Sequence, residues 1–197
     1  MSAITQHKAR LRQQLRQQRQ RLSTIEREAA ASMIAGHSLA LPNWAQIRSV
    51  AVYSANDGEA DPLPLATRAL GQGRHLFLPV IQADNSLRFA RWEPGDNLVN
   101  NKYGIGEPEP HIQRVSADTI DLICMPTVGW SHDGTRLGMG GGFYDRTLET
   151  SSGATTLGLG FECQHCDEIP REPWDACLQW VATEANLHQC SSDGVIR

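Results

Sequence analysis

Residues 134–142 read GTRLGMGGG, five glycines in nine positions, and the run Phe143, Tyr144, Asp145, Arg146 follows at once. Glycine carries no side chain to hold a ligand away from the main chain, so successive amide N–H groups can converge on an anion. A helix starting at Phe143 would aim its positive end at the same spot. Just upstream, residues 121–126 (DLICMP) form an apolar run that reads as a buried strand leaving the core. Strand, glycine loop and helix therefore come in the order in which open α/β sheets place their ligand loops.

Generic phosphate motifs do not fit. The dinucleotide fingerprint lacks its last glycine, because Phe143 stands there, and no Gly-Lys-Ser/Thr follows to make a Walker loop. A plain hairpin turn is the alternative reading. A turn needs one or two glycines, however, and has no use for Arg136, Asp145 and Arg146 packed around them. A nucleotide site uses cations for phosphate and a carboxylate for magnesium, which favours a phosphate loop.

Along the rest of the chain, residues 3–22 read as a helix with Ile4, Leu11, Leu15 and Leu22 in one stripe and Lys8, Arg12, Arg16 and Arg19 in a second beside it. The second stripe is placed to line a cleft, whereas Arg10 and Arg21 point to solvent. Ser23 and Glu26 form a capping box for a second helix that runs to Leu41 and stops at Pro42. Extended runs follow at 49–54, 75–80, 87–92, 121–126, 155–161 and 180–183, with helices at 62–71 and 143–149. Residues 96–115 form a long connection, a length that points to function. Alternation of strands and helices predicts an α/β fold, a mostly parallel sheet with helices on both faces, preceded by an N-terminal helical hairpin.

The 197 residues are 40% hydrophobic and 20% charged, which suits one globular domain and is short for two. No run approaches the roughly 20 apolar residues of a membrane span, and the start is polar and basic, so the expectation is a cytoplasmic protein with no membrane partner. Five cysteines suggest reduced thiols. Cys163 and Cys166 resemble half a zinc knuckle, with only His188 and Cys190 as recruits for the other half; ordinary thiols are the favoured reading. Residues 1–22 hold six of the 18 basic residues and no acid, a basic arm on an acidic body.

Taken together, residues 8–12 (KARLR), the segment from Tyr53 to Glu59, Leu78-Pro79-Val80, residues 104–108 (GIGEP) and residues 134–146 resemble the 5-formyltetrahydrofolate cyclo-ligase family, over residues 8 to about 184. The resemblance implies a single Rossmann-like domain over residues 1–197, with residues 1–42 as the hairpin packed on it. It implies cyclisation of 5-formyltetrahydrofolate to 5,10-methenyltetrahydrofolate, with ATP as co-substrate, Mg2+ as cofactor, and ADP and phosphate released. Partners are then small molecules, with no nucleic acid, and the protein is expected to be a monomer.

By position, the resemblance assigns ATP binding to Lys8, Ala9, Arg10, Leu11 and Arg12 and to Arg136, Leu137, Gly138, Met139, Gly140, Gly141, Gly142, Phe143 and Tyr144. It assigns a magnesium ligand to Asp145, with Arg136 and Asp145 as the catalytic pair. Folate contacts fall on Ser54, Glu59, Met139, Gly140, Gly141, Gly142 and Phe143. A carboxylate at Glu59 suits the amino-pyrimidinone edge of a pterin, where two N–H groups point one way; a solvated loop acid is the other reading. The rings of Tyr53, Trp130, Phe143, Tyr144 and Trp174 offer stacking surfaces or plain core.

The chain departs from the family pattern in places. Gly141 stands for a lysine, Phe143 for a tyrosine, and Gly129-Trp130-Ser131 for Ala-Phe-Asp, with Arg136 or Arg146 available to replace the missing cation. A second metal position falls loosely on Gln179. Two other functions fit parts of the sequence: a small-metabolite kinase using the same loop, and an RNA-binding module led by the basic first helix.

Overall fold

The computed structural model describes residues 3–151 and 153–191. Helix α1 (Ala3–Gln20) and helix α2 (Thr24–Ser38) make the N-terminal helical pair. The capping box is formed as read: Ser23 Oγ accepts from the Glu26 amide at 3.2 Å and Glu26 Oε2 accepts from the Ser23 amide at 2.7 Å. Helix α2 ends earlier than Leu41. Ser38 Oγ turns back to donate to the Ile34 carbonyl at 2.8 Å, and the chain leaves in turns before Pro42 is reached.

The remaining helices are α3 (Leu63–Gly71) and α4 (Phe143–Leu148). The strands are β1 (Ser49–Ala51), β2 (His75–Ile81), β3 (Leu87–Arg91), β4 (Leu98–Asn100), β5 (Gly106–Pro108), β6 (Arg114–Val115), β7 (Leu122–Pro126), β8 (Gly129–Trp130), β9 (Arg136–Leu137), β10 (Thr155–Leu159), β11 (Trp180–Ala182) and β12 (Leu187–Gln189). Eight of them form one sheet in the order β12-β11-β10-β7-β1-β2-β3-β6. Its five central strands, β11 to β2, run parallel, and antiparallel strands β12, β3 and β6 flank them.

Side chains of the central strands alternate between two cores, as a sheet covered on both faces requires. Val50, Val52, Leu122 and Cys124 face Ala30 and Ile34 of α2 and Leu65, Ala66 and Ala69 of α3. Ala51, Ile123 and Met125 face the other way, toward Phe143, Tyr144 and Leu148 of α4. Helix α1 joins neither face. It packs Leu15 on Val128, Leu137 and Ile169 at the carboxyl end of β7. Gly129 makes that approach possible, since a Cβ there would lie 2.5 Å from Leu15 Cδ1.

Two hairpins replace what the sequence reads as loop. The connection 96–115 contains β4 and β5, paired antiparallel, and ends in β6 at the sheet edge. Strands β8 and β9 pair after β7, with β9 inside the glycine segment. Strand β12 adds a further pairing beyond β11. All are two or three residues long, too short to carry a readable period.

Candidate active site

The glycine segment lies beyond the carboxyl ends of β1, β2 and β7, between two cavities. One, of about 420 Å³, is lined by Tyr53, Ser54 and Glu59 after β1, Pro79 and Ile81 of β2, the β4–β5 hairpin, and residues 136–145. The other, of about 320 Å³, is lined by Gly140, Gly141, Gly142, Arg146, Glu149 and Trp174. Gly140, Gly141 and Gly142 border both, together with Arg12, Asp145 and Asp175, so three successive glycines form part of the partition and add no side chain to it. Gly140 and Gly142 hold φ of +100° and +68°, values that would strain a residue with a Cβ.

Arg136 stands on β9 with only 9% of its surface exposed. Its Nη2 donates to Asp145 Oδ1 at 3.2 Å, its Nη1 donates to the Pro126 carbonyl at 3.4 Å, and its guanidinium lies over the Tyr144 ring at 5.5 Å. The buried Nε has no partner among the described residues. Asp145 Oδ1 also accepts from the Ala176 amide at 3.1 Å. A charge this buried is held only when compensated, and Asp145 supplies the compensation.

Asp175 is the residue that sequence reasoning missed. Its Oδ2 accepts from Lys8 Nζ and, at 2.8 Å, from the Glu172 amide. It belongs to an irregular segment far from Asp145 in the chain, so neither spacing nor periodicity could bring the two carboxylates together on paper. Gln179, where the loose match put a second metal position, lines neither cavity; its Oε1 accepts from the Thr156 amide at 3.0 Å, at the β10–β11 join. Asn101, Tyr103 and Glu107 of the β4–β5 hairpin also face the larger cavity. The length of their connection hinted at all three, and the match at residues 104–108 included Glu107.

The basic stripe of α1 divides. Lys8 and Arg12 reach the cavities, and Arg12 Nε donates to the Gly138 carbonyl at 2.8 Å. Burial works against the Arg12 charge, Asp175 supports it, Arg136 opposes it and Asp145 supports it. Arg16 and Arg19, expected on the cleft, instead clasp Asp57 at 2.7 and 2.8 Å, because the loop after β1 folds under the helix and meets them first. Ala9 and Arg10 are exposed and Leu11 packs beside Leu15; none of the three lines either cavity. Lys8, Arg12, Arg16 and Arg19 are thus all bonded within the protein, while Arg10 and Arg21 are exposed.

Glu59 lines the larger cavity, and burial lifts its carboxyl above the ordinary glutamate range. Its Oε2 accepts from the Asn56 amide at 3.1 Å. Ser54 lines the same wall, its hydroxyl donating to the Gly106 carbonyl at 3.0 Å. Of the candidate stacking rings, Tyr53, Phe143 and Tyr144 face this cavity, Trp174 faces the smaller one with 62% exposure, and Trp130 is fully buried core.

Oxygen donors suited to a hard cation stand at the partition. Asp145 Oδ2 and Asp175 Oδ1 take no hydrogen bond among the described residues, so each carboxylate keeps one oxygen to offer. That is the donor set magnesium uses when phosphate and water supply its remaining ligands. Among the described residues no group of three or more His, Cys, Asp and Glu could hold a metal by itself, and Cys163 and Cys166 are free thiols.

A mostly parallel α/β sheet with a glycine-walled cleft beyond its strand ends is the ligand-binding arrangement of doubly wound proteins. Residues 4–184 match the model of the 5-formyltetrahydrofolate cyclo-ligase family. The 5-formyltetrahydrofolate cyclo-ligases of Haemophilus influenzae and of Escherichia coli K12 are each 32% identical to it, over 88% of this chain and 96% and 98% of theirs. The solution structure of Aquifex aeolicus 5,10-methenyltetrahydrofolate synthetase superposes with a TM-score of 0.81 at 29% identity, covering 96% of both chains. The chain therefore belongs to the 5-formyltetrahydrofolate cyclo-ligase family and is an enzyme of that type. No helix among the described residues is long and apolar enough to cross a membrane.

Proposed function

We propose that the enzyme closes 5-formyltetrahydrofolate to 5,10-methenyltetrahydrofolate while converting ATP to ADP and phosphate, the reduced pterin occupying the larger cavity and the nucleotide the smaller. The observation that carries this reading is the shared border: two cavities of ligand size adjoin at Gly140, Gly141 and Gly142, with Arg12, Asp145 and Asp175 lining both. Two substrates that exchange a phosphoryl group need that arrangement.

A formamide carbonyl is a poor electrophile, and its oxygen is a poor leaving group. Attack of that oxygen on the γ-phosphorus releases ADP and leaves an iminium phosphate; nitrogen 10 of the same molecule then attacks the formyl carbon and gives up its proton to the departing phosphate or to solvent, and the C–O bond breaks to expel phosphate. The nucleophile is already tethered, so the protein's task is alignment and charge neutralisation. Arg136, Arg12 and Lys8 place cations around the γ-phosphate, and the amides of Gly140, Gly141 and Gly142 give it donors without side-chain obstruction. Arg146 stands on the nucleotide side, where it replaces the cation missing at Gly141. Asp145 and Asp175 would hold magnesium, which when bound neutralises phosphate charge. Glu59 accepts from the pterin's N–H groups, and the exposed Trp174 ring offers the flat apolar face that a purine base covers.

Mixing the protein with magnesium, ATP and 5-formyltetrahydrofolate tests the reading. The expected result is growth of the near-ultraviolet methenyl band with stoichiometric phosphate. A phosphorylated acceptor without the chromophore would instead identify a kinase.

A further inference from the structure

Asp57 sits where one face of α1 meets the loop after β1, and three donors of that face converge on its carboxylate. Arg16 Nε and Arg19 Nη2 donate to Oδ2 at 2.7 and 2.8 Å, and Gln20 Nε2 donates to Oδ1 at 3.1 Å. Positions 16, 19 and 20 stand at i, i+3 and i+4, the spacing that puts side chains on one helix face. Arg19 reaches further. The same Nη2 donates to the Asp57 carbonyl at 2.7 Å, Nη1 donates to the Thr127 carbonyl at 3.3 Å, and the side chain is 0% exposed. One guanidinium thus ties the helix, the loop and the chain leaving β7 toward the β8–β9 hairpin.

A short series of hydrogen bonds leads from Asp57 into the cleft. The Asp57 amide donates to Asn56 Oδ1 at 2.8 Å, the Asn56 amide donates to Glu59 Oε2 at 3.1 Å, and the Glu59 amide donates to the Asn56 carbonyl at 3.0 Å. Asp57 and Gly58 hold φ of +52° and +74°, the left-handed region that aspartate tolerates and glycine adopts freely. The Glu59 amide closes the turn on the Asn56 carbonyl, and an Asp-Gly pair favours that geometry by itself, so local chemistry makes the turn and the donors of α1 fix where it sits. Electrostatics carries the same link, since the Arg19 charge is felt at the Glu59 carboxyl, where it opposes the effect of burial.

We propose that Arg19 is a positioning residue for the folate subsite: through Asp57 it fixes the turn that presents Glu59, and it joins that turn to the helix that carries Lys8 and Arg12 to the glycine partition. The proposal rests on the reading of Glu59 as a folate contact. It gives α1 two tasks, cations for the nucleotide side at one end and alignment of the pterin side at the other.

Steady-state kinetics with each substrate varied in turn tests it on Arg19→Gln, Asp57→Asn, the double variant, Arg16→Gln and Glu59→Gln. Arg19→Gln and Asp57→Asn are each expected to raise KM for 5-formyltetrahydrofolate about tenfold, while KM for ATP stays within about twofold. The double variant should raise the folate KM no more than the larger single effect, because the pair acts as one unit. Arg16→Gln removes the more exposed partner and should leave both KM values near those of the parent.

Asp57→Asn keeps the side chain's shape and the protein is expected to fold, so the test survives if Arg19→Gln does not. A purely structural ion pair would lower Tm and move neither KM, which would overturn the proposal. So would an Arg16→Gln effect as large as that of Asp57→Asn. If Glu59→Gln raises the folate KM and Asp57→Asn does not, the inference alone has failed. If Glu59→Gln leaves the folate KM unchanged, the folate reading of the cleft fails and the inference falls with it.

Discussion

A Cβ placed on Gly141 would lie 2.4 Å from Cε2 of Phe143, so the two residues share one space. The ring folds back over the glycine loop, packs edge-on against Tyr103 at 5.8 Å and lies under the Arg146 guanidinium at 5.9 Å. These are the positions where the chain departs from the lysine and tyrosine of the family pattern, and the geometry links the departures: a side chain at 141 requires the ring at 143 to move. Gly141→Ala is therefore expected to lower kcat/KM for folate about tenfold. Gly71→Ala, with open space around its Cβ, serves as the control and should leave kinetics unchanged.

Asp145 compensates the buried Arg136 and offers an oxygen to the partition. Asp145→Asn keeps an acceptor for the guanidinium but leaves its buried charge uncompensated, so Tm should fall, and circular dichroism checks that the variant assayed is folded. Turnover should fall about 100-fold or more, the magnitude typical of losing one group that stabilises developing charge. Raising the magnesium concentration is expected to recover part of the loss.

Arg12 borders both cavities and donates to the Gly138 carbonyl at 2.8 Å. Arg12→Ala should raise KM for ATP about tenfold, equivalent to about 1.4 kcal/mol, and change KM for folate less than twofold. Initial-rate measurements at saturating concentrations of the other substrate separate the two effects.

Glu59 gives a prediction with a sign. Burial raises its pKa, so the folded protein binds this proton more readily than the unfolded chain does. The group's contribution to stability is fully present below the unfolded-state pKa and is lost as pH rises through the folded-state pKa. At neutral pH Glu59→Gln is accordingly expected to match or exceed the parent, by about 2–4 °C in Tm for each 1 kcal/mol recovered. The same variant should raise the folate KM. In the parent, kcat/KM for folate should fall on the acid side at a pH above the usual glutamate range, and this limb should disappear in Glu59→Gln.

Features fixed by local chemistry were legible in the sequence. The Ser23–Glu26 box marks the start of α2, the leucine and cation stripes mark α1, and the apolar run at β7 followed by glycines marks the site. Features made by convergence were not. Lys8 and Asp175 meet because α1 lies across the carboxyl end of β7, and a single sequence contains no signal for that meeting. Arg19 was read on the correct stripe, yet its partner could not be, since Asp57 reaches it only through a left-handed turn. The two-residue strands β8 and β9 set the position of Arg136 and are too brief to show any alternation.

The two cavities adjoin along three successive glycines, Gly140, Gly141 and Gly142. A single synthetic compound bearing a pterin at one end, a purine at the other and a short anionic bridge would fill both chambers at once. Tethering makes its second contact intramolecular, so its avidity should exceed that of either half by about 10²–10⁴ where the bridge spans the gap. The bridge length at which inhibition peaks would then serve as a ruler for the path the transferred group must travel.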